Sequence, residues 1–304
     1  MSFSLAHMAG KKTLVIINPI SGTGNKERLE DHLSQHLSKE IFDYEIVYTN
    51  SPGHATKLAK EASENMYSVV IAVGGDGTVN ETAAGLIHTK TAMGIVPVGS
   101  GNGLGRHLGI PTQAKKAIVC LNESVKHKID VCTANKIPFF NVAGIGYDAL
   151  VAHEFAAKPT RGFGTYVQTV VQEFFRYKPK KFILYTPSGK IKKKALMISF
   201  ANGSQFGNNA YIAPKANLSD GLLDVAILYK FPGIASPTLA MQLFSKRIDQ
   251  SKYTEIFQVP EITIKQKSKK LHLDGEPYKM AKEIHIKVLP SALNILVPKD
   301  YLNE

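Results

Sequence analysis

Gly74, Gly75, Asp76, Gly77 and Thr78 sit inside Ala72–Glu81 (AVGGDGTVNE), directly after an apolar run and directly before a helical pattern. Glycines at a strand-to-helix junction let backbone N–H groups approach an anion, and the helix N-terminus adds partial positive charge. The chemistry this suits is phosphate binding. A carboxylate in such a loop would repel bare phosphate. Asp76 therefore fits better as a residue that holds, directly or through water, a divalent cation bridging phosphates. The plainer alternative is a tight turn whose Asp caps the helix.

Two more loops have the same strand-to-glycine form: Asn18-Pro19-Ile20-Ser21-Gly22-Thr23-Gly24, and Val98-Gly99-Ser100-Gly101-Asn102-Gly103-Leu104-Gly105. Doubly wound sheets bind ligands outside the carboxyl ends of their strands, so the three loops could converge on one ligand. There is no GxxxxGK[ST], and Gly22/Gly24 lacks the third glycine of a dinucleotide fingerprint. Protein-kinase HRD and DFG signatures are absent too. His153-Glu154 begins an HExxH pattern without its second His, which argues against zinc. Arg106-His107 could touch phosphate or acceptor, or be structural. The stretch Phe155–Tyr177, with Phe163, Tyr166, Val167, Val170, Val171, Phe174 and Phe175, suits an acyl-chain cleft or simple helix packing equally well.

The elements that must position these residues follow from periodicity. Thr13–Asn18, Tyr44–Thr49, Ser68–Val73 and Met93–Pro97 read as strands. They alternate with helical patterns over Lys26–Ser38, His54–Asn65 and Glu81–Ile87. Strands alternating with crossover helices imply a parallel sheet covered on both faces. The second half is strand-rich: Phe139–Val142, Lys181–Thr186, Ala195–Ala201, Leu223–Leu228, Glu261–Lys265, Lys270–Leu273, Glu283–Val288 and Leu293–Val297. Turn signals between several of these runs suggest an antiparallel sandwich, with helices only near Thr165–Tyr177 and Pro237–Phe244. The change of pattern falls near residue 134.

Composition limits the rest. The 304 residues are 44% hydrophobic and 20% charged, an ordinary globular balance that excludes disordered and fibrous classes. No apolar run reaches the roughly 18 residues of a membrane-spanning helix. The start MSFSLAHMAGKK places charge after apolar residues, the reverse of an export signal. Cys120 and Cys132 lack metal or disulfide spacing and read as reduced thiols. Charge is lopsided: residues 1–140 hold 14 Lys+Arg against 12 Asp+Glu, and residues 141–304 hold 23 against 13. Nearly all of the net +12 therefore lies in the second half. Blocks at Lys178/Lys180/Lys181, Lys190/Lys192/Lys193/Lys194 and Lys265/Lys267/Lys269/Lys270 suit an anionic lipid surface or a solvated face. With few aromatics accompanying them and no nucleic-acid motif, nucleic acid is not an expected partner.

Six motifs occur in order: NPISG at 18–22, GGDGTVNE at 74–81, GSGNGLGRHLGI at 99–110, NVAGIGYDA at 141–149, LSDGLLDV at 218–225 and DGE at 274–276. Taken together, the chain from about Thr13 onward resembles the diacylglycerol kinase catalytic-domain family, the bacterial lipid kinases related to sphingosine kinases. The resemblance implies an N-terminal doubly wound α/β nucleotide-binding domain over residues 1–134. It also implies a C-terminal antiparallel β-sandwich that binds the lipid acceptor over 135–290, and a segment at 291–304 returning to the first domain.

Family roles carry over onto matching positions. The resemblance implies ATP contacts at Asn18, Ser21, Thr49, Gly74, Gly75, Asp76, Gly77, Thr78, Asn80, Ser100 and Asn102; Ser100 stands where relatives often have Thr, a change that keeps the hydroxyl. It implies a structural Mg²⁺ held by the Asp220 carboxylate and the carbonyls of Asn217 and Leu222, oxygen ligands that suit a hard cation. It implies Glu276 as the general base and Asp76 as organiser of the catalytic Mg²⁺, with Asp130 supporting that network. Read without the family, Asp220-Gly221 is a turn and DGE a hairpin turn with exposed acids.

The expected activity is an ATP- and Mg²⁺-dependent lipid kinase acting on a lipid hydroxyl, diacylglycerol first, with a sphingoid base or another lipid alcohol as variants. The protein is expected in the cytoplasm, peripheral to the inner membrane face, at an anionic surface; a homodimer is open. One alternative is an NAD kinase, which shares GGDG and a related two-domain plan. The other is a regulator that binds nucleotide or lipid without catalysis.

Overall fold

The computed structural model describes residues 10–21, 26–158, 163–174 and 176–303. In chain order the elements are β1 Lys11–Ile17, α1 Lys26–His36, β2 Phe42–Tyr48, α2 His54–Glu64, β3 Val69–Gly74, α3 Asp76–Leu86 and β4 Ala92–Pro97. Then come α4 Gly103–His107, α5 Ala114–Glu123, β5 Val125–Ala134, β6 Ile137–Phe139, β7 Val142–Gly146, α6 Tyr147–Ala156 and α7 Phe163–Phe174. The remainder is β8 Lys180–Thr186, β9 Gly189–Ala195, β10 Met197–Ala201, β11 Leu223–Leu228, α8 Ser236–Phe244, β12 Thr254–Val259, β13 Glu261–Lys265, β14 Lys270–Leu273, β15 Glu276–Lys279 and β16 Glu283–Val297.

The chain forms two compact units. Unit 1 comprises residues 1–99, 108–128 and 293–304. Its strands run in the order β2-β1-β3-β4, all parallel, and the C-terminal part of β16 joins β4 through Ile295 opposite Met93. β1, β3 and β4 are near-continuous apolar runs because a parallel sheet is covered on both faces; Val15, Ile16, Ile71, Ala72 and Ile95 are fully buried. Helices pack in the pairs α1 with α5 and α2 with α3. The second pair meets through small residues: Ala55 and Ala59 are fully buried, and a Cβ on Gly85 would stand 2.5 Å from the Thr56 carbonyl.

Unit 2 comprises residues 100–107 and 129–292. One sheet is antiparallel throughout, in the order β12-β11-β10-β7-β14-β15. Residues 283–287 of β16 pair with β13, β13 with β8 and β8 with β9, again antiparallel. Between these layers lies a core that includes Phe139, Ile145, Phe182, Phe200, Ile264 and Ile286. Burial of each such side chain contributes about 1.5–3 kcal/mol.

The sandwich differs locally from the sequence reading. The run Phe139–Val142 splits, since β6 ends at Phe139 and β7 begins at Val142. The two runs Glu283–Val288 and Leu293–Val297 are instead one strand, β16, interrupted in pattern by Pro290 and by Ser291 at φ 52°. The lysine-rich β9, the strands β12 and β15 and the helix α6 have no counterpart in that reading, nor do β5 and, in unit 1, α5. In β9 (GKIKKKA) long polar side chains obscure a period of two, in which Ile191 and Lys193 are half-buried and Lys190, Lys192 and Lys194 exposed.

Candidate functional site

The GGDG motif lies where β3 meets α3. Gly74 ends the strand, Gly75 is the extended residue before the helix, and Asp76 begins α3. Gly74 must lack a side chain, since a Cβ there would lie 2.4 Å from the Thr78 Cβ; at Gly77 a Cβ would meet only open space. Gly77 is exposed, while Thr78 is buried. Asn18, at the carboxyl end of β1, donates from Nδ2 to Thr78 Oγ1 at 3.0 Å, and its Oδ1 accepts the Ile20 N–H at 3.0 Å. Ser21 donates its N–H to the Asn18 carbonyl, and Thr49 donates its own to Ile17 at the end of β1. Unit 1 thus gathers Asn18, Ser21, Thr49 and Gly74–Asn80 at the carboxyl ends of β1, β2 and β3, the ligand-binding end of such sheets. Gly22–Gly24 lie outside the described residues. Glu81, the last residue of the motif, is structural, its carboxylate accepting the Ala55 N–H at the start of α2.

The third glycine loop belongs to unit 2, which includes Ser100–His107. The loop sits on Asn141: a Cβ at Gly103 would lie 2.4 Å from Asn141 Nδ2, and one at Gly203 would lie 2.1 Å from its Oδ1. Asn102 is buried with a left-handed backbone (φ 52°), and Ser100 is exposed. Arg106 donates from Nε to the Gly101 carbonyl at 3.0 Å, and His107 Nδ1 accepts the Ser204 N–H at 2.9 Å. Burial, then the nearby Lys246 charge, lowers the His107 pKa to about 4, so that ring is neutral. Arg106 and His107 therefore both serve to fix this loop.

Glu276 is the first residue of β15 and is exposed. It follows a two-residue turn in which Asp274 (φ 49°) and Gly275 (φ 85°) both adopt positive φ, the geometry that Asp-Gly favours between antiparallel strands. The turn is pinned from beneath. The Asp274 carboxylate accepts the N–H groups of Phe140, Asn141 and Val142 at 2.8, 2.8 and 2.9 Å. This explains why the chain leaves strand geometry at 140–141. Gly275 donates its N–H to His272 Nδ1 at 3.2 Å. The other ring nitrogen, Nε2, lies 2.8 Å from Asp148 Oδ2, a close contact without the alignment of a hydrogen bond. Ser199 donates to the same Asp148 oxygen at 3.2 Å.

The proposed structural metal ligands fall on the turn before β11. Asp220 Oδ1 accepts the Leu222 N–H at 2.9 Å, Oδ2 faces Gln258 Nε2 at 3.4 Å, and Asn217 Oδ1 accepts the Ser219 N–H at 2.9 Å. This is a built turn with one exposed carboxylate, and an oxygen donor set of this kind fits a hard cation. Nearby Asp224 is buried, and its carboxyl is pushed up by that burial, with Asp220 adding to the shift. Among the described residues, no group of three His, Cys, Asp or Glu side chains could hold a metal.

Asp130, expected to support the catalytic metal network, is buried and held by backbone hydrogen bonds. Its two oxygens accept the N–H groups of Gly221 (2.6 Å) and Ser291 (2.7 Å), tying the 217–222 turn to the interruption in β16. The supporting residues Asn141, Asp148, His272 and Asp274 had no role assigned from the sequence. Asn141, Asp148 and Asp274 do lie inside the motifs at 141–149 and 274–276, and glycine marks their packing: at Gly144 a Cβ would come within 2.1 Å of Asp148 Oδ2 and 2.4 Å of His272 Nε2.

Other expectations resolve simply. His153 Nε2 approaches the Tyr278 carbonyl at 3.1 Å and Glu154 pairs with Lys270. The lysine blocks are partly neutralised, Lys193 by Glu255 and Lys265 by Glu283. In α7, Phe174 stacks on Phe231 and packs edge-on to Tyr147, so part of the aromatic stretch is core. Phe175 and the side chains of Phe163, Tyr166 and Val167 lie outside what is described.

Comparison with known proteins agrees with this layout. Residues 12–134 match the diacylglycerol kinase catalytic domain, and residues 141–297 match the YegS C-terminal NAD kinase beta sandwich-like domain. A protein of Chromohalobacter salexigens named "Probable lipid kinase YegS-like" is 31% identical over 254 residues, covering 81% of each chain. One of the same name from Klebsiella pneumoniae is 30% identical over 298 residues, covering 95% of this chain and 96% of its own. In structure, the chain resembles a diacylglycerol kinase from Bacillus anthracis str. Sterne with TM-score 0.75 at 20% identity, covering 96% of this chain and 98% of that one; this likeness speaks for the fold.

Proposed function

The chain belongs to the diacylglycerol kinase catalytic-domain family with a YegS-type C-terminal domain, and on that footing we propose that it is a lipid kinase that moves the γ-phosphoryl group of ATP to a lipid hydroxyl. The observation that carries this is the β3–α3 junction, where three glycines, a helix N-terminus and a single carboxylate are braced from below by the Asn18–Thr78 hydrogen bond. Backbone N–H groups there suit phosphate oxygens.

The residues for ATP would be Asn18, Ser21, Thr49, Gly74–Thr78 and Asn80, with Ser100 and Asn102 from the third loop. Bound Mg²⁺ would neutralise charge on the phosphates, and Asp76 is the carboxylate suited to hold it directly or through water. Asn217, Asp220 and Leu222 would hold a second, structural cation.

Glu276 is the base in this reading. It takes the proton of the acceptor hydroxyl as the new O–P bond forms, while the bond from the γ-phosphorus to the β–γ bridging oxygen breaks and ADP leaves. A hydroxyl is a weak nucleophile, and a positioned carboxylate of this kind contributes typically about 10²–10⁴-fold. Positioning supplies much of the rest in phosphoryl transfer, which gives a rigid turn under Glu276 a purpose. Diacylglycerol is the first acceptor to try, then sphingoid bases and other lipid alcohols.

The test is transfer of labelled γ-phosphate from ATP·Mg²⁺ to a panel of these lipids in mixed micelles, with NAD as a separate acceptor. Labelled lipid supports the proposal. Label on NAD alone would replace it with an NAD kinase. ATP binding without any product would leave a binding protein.

A further inference from the structure

The connection between β11 and β12 is far longer than their pairing requires. These strands are antiparallel neighbours, with Leu228 opposite Thr254, and a two-residue turn could join them. Instead residues 229–253 build a projection containing a 3₁₀ turn at Gly233–Ala235, the helix α8 and a second 3₁₀ turn at Ile248–Gln250. Leu239 points inward and is buried, and the Leu243 carbonyl accepts the Tyr211 N–H, which seats the helix on unit 2. The outward side is apolar. Ile234 is 90% exposed, Met241 65% and Phe244 48%, and Pro237 is exposed between them. Residues 237, 241 and 244 recur at helical spacing and share one face of α8, and Ile234 precedes them in the 3₁₀ turn.

Around that face the charge has a single sign. From Val225 to Ile248 there is no Asp or Glu, while Lys230, Lys246 and Arg247 are exposed, and Lys252 is exposed beside Lys230 because Tyr229 and Tyr253 are hydrogen-bonded neighbours. The first acid beyond, Asp249, is already paired with Lys215 at 2.9 Å. Exposed apolar side chains inside a basic collar are the pattern of a helix that lies in the headgroup region of an anionic bilayer. A second copy of this chain fits poorly, since a two-fold contact through this face would set two basic collars against each other.

We propose that residues 230–252, through Ile234, Met241, Phe244 and the collar of Lys230, Arg247 and Lys252, dock the protein on an anionic lipid bilayer. This deepens the lipid-kinase reading, and rests on it for its purpose, by saying how the protein reaches an acceptor dissolved in a membrane. It also narrows the basic-surface expectation from the lysine blocks, several of which hold carboxylate partners, to one projection.

The test is co-sedimentation of the full chain with vesicles of phosphatidylglycerol and phosphatidylcholine, and with phosphatidylcholine alone. Binding is expected to the anionic vesicles and to fall steeply with salt. Met241→Glu/Phe244→Glu should weaken it at least ten-fold, and Lys230→Glu/Arg247→Glu should do so on anionic vesicles. Both pairs are exposed, and circular dichroism of each variant is the check that it folds. Equal binding by wild type and both variants, or no binding by the wild type, overturns the proposal. So does a wild-type dimer that the apolar pair converts to monomer without change in vesicle binding. Kinase assays on a short-chain dispersed acceptor keep the two readings apart: absence of product there defeats the kinase reading but leaves the docking result standing.

Discussion

His272 Nε2 lies 2.8 Å from Asp148 Oδ2 inside unit 2, and the opposite nitrogen of the same ring accepts the N–H of Gly275, the residue before Glu276. Nδ1 can accept that bond only when it carries no proton, so the ring proton sits on Nε2, facing Asp148. A buried pair thus holds the turn that presents an exposed carboxylate.

Asp148→Asn keeps the shape and removes the charge that fixes the proton on Nε2. In the kinase assay it should lower kcat on the order of 10–100-fold while leaving the KM for ATP unchanged, because the turn loosens and the nucleotide residues of unit 1 are untouched. A fall in ATP affinity with kcat preserved would show that the pair does not act through Glu276.

Asp274→Ala leaves three backbone N–H groups without the acceptor they now share. At about 1–3 kcal/mol for each unsatisfied buried donor, the loss should exceed roughly 3 kcal/mol, readable as a lower denaturant midpoint. Asp274→Asn retains one accepting oxygen and should fall between. A midpoint shift under about 0.5 kcal/mol for Ala, the range of an ordinary surface change, would show that water replaces the carboxylate freely.

Gly85→Ala goes against ordinary helix propensity, by which Ala in a helix interior gains about 1 kcal/mol over Gly. Here the new methyl would stand 2.5 Å from the Thr56 carbonyl and 2.9 Å from the Ala59 methyl. The α2–α3 seam must open, at a cost of about 1–3 kcal/mol. A more stable variant would contradict the close packing described.

Two histidines are shifted in opposite directions. His107 has its pKa lowered from 6.5 to about 4, first by burial and then by Lys246. Its contribution is fully present above pH 6.5 and is lost as pH falls toward 4, amounting to roughly 3 kcal/mol at the acid limit. His107→Asn should flatten that part of the stability curve relative to wild type. For His272 burial pulls the pKa down, but the carboxylates of Asp148 and Asp274 outweigh it and the net shift is upward. Parallel curves for His107→Asn and wild type between pH 4 and 6.5 would refute the first assignment.

Much of this was legible in the sequence because glycine and apolar periodicity report local geometry. The β3–α3 junction, the parallel first half and the Asp-Gly hairpin before Glu276 all follow from residue types at short range. The supports did not show, because they are set at long range. Asp274 meets Phe140, and Asp130 meets both Gly221 and Ser291, across stretches of chain that no spacing rule connects. Asp130 is one such support, its two oxygens holding backbone amides from separate loops. β16 read as two strands because Pro290 and the left-handed Ser291 break its alternation at the point where the chain passes from unit 2 to unit 1.

The most direct measurement is γ-phosphate transfer to lipid by wild type and Glu276→Gln, with ATP binding measured on the same samples. The exposed side chain makes the substitution structurally mild. Product formation should drop about 10²–10⁴-fold with ATP affinity unchanged. Glu276→Gln turning over at the wild-type rate would contradict the account, since a side chain that cannot take the hydroxyl proton would then be doing the same work.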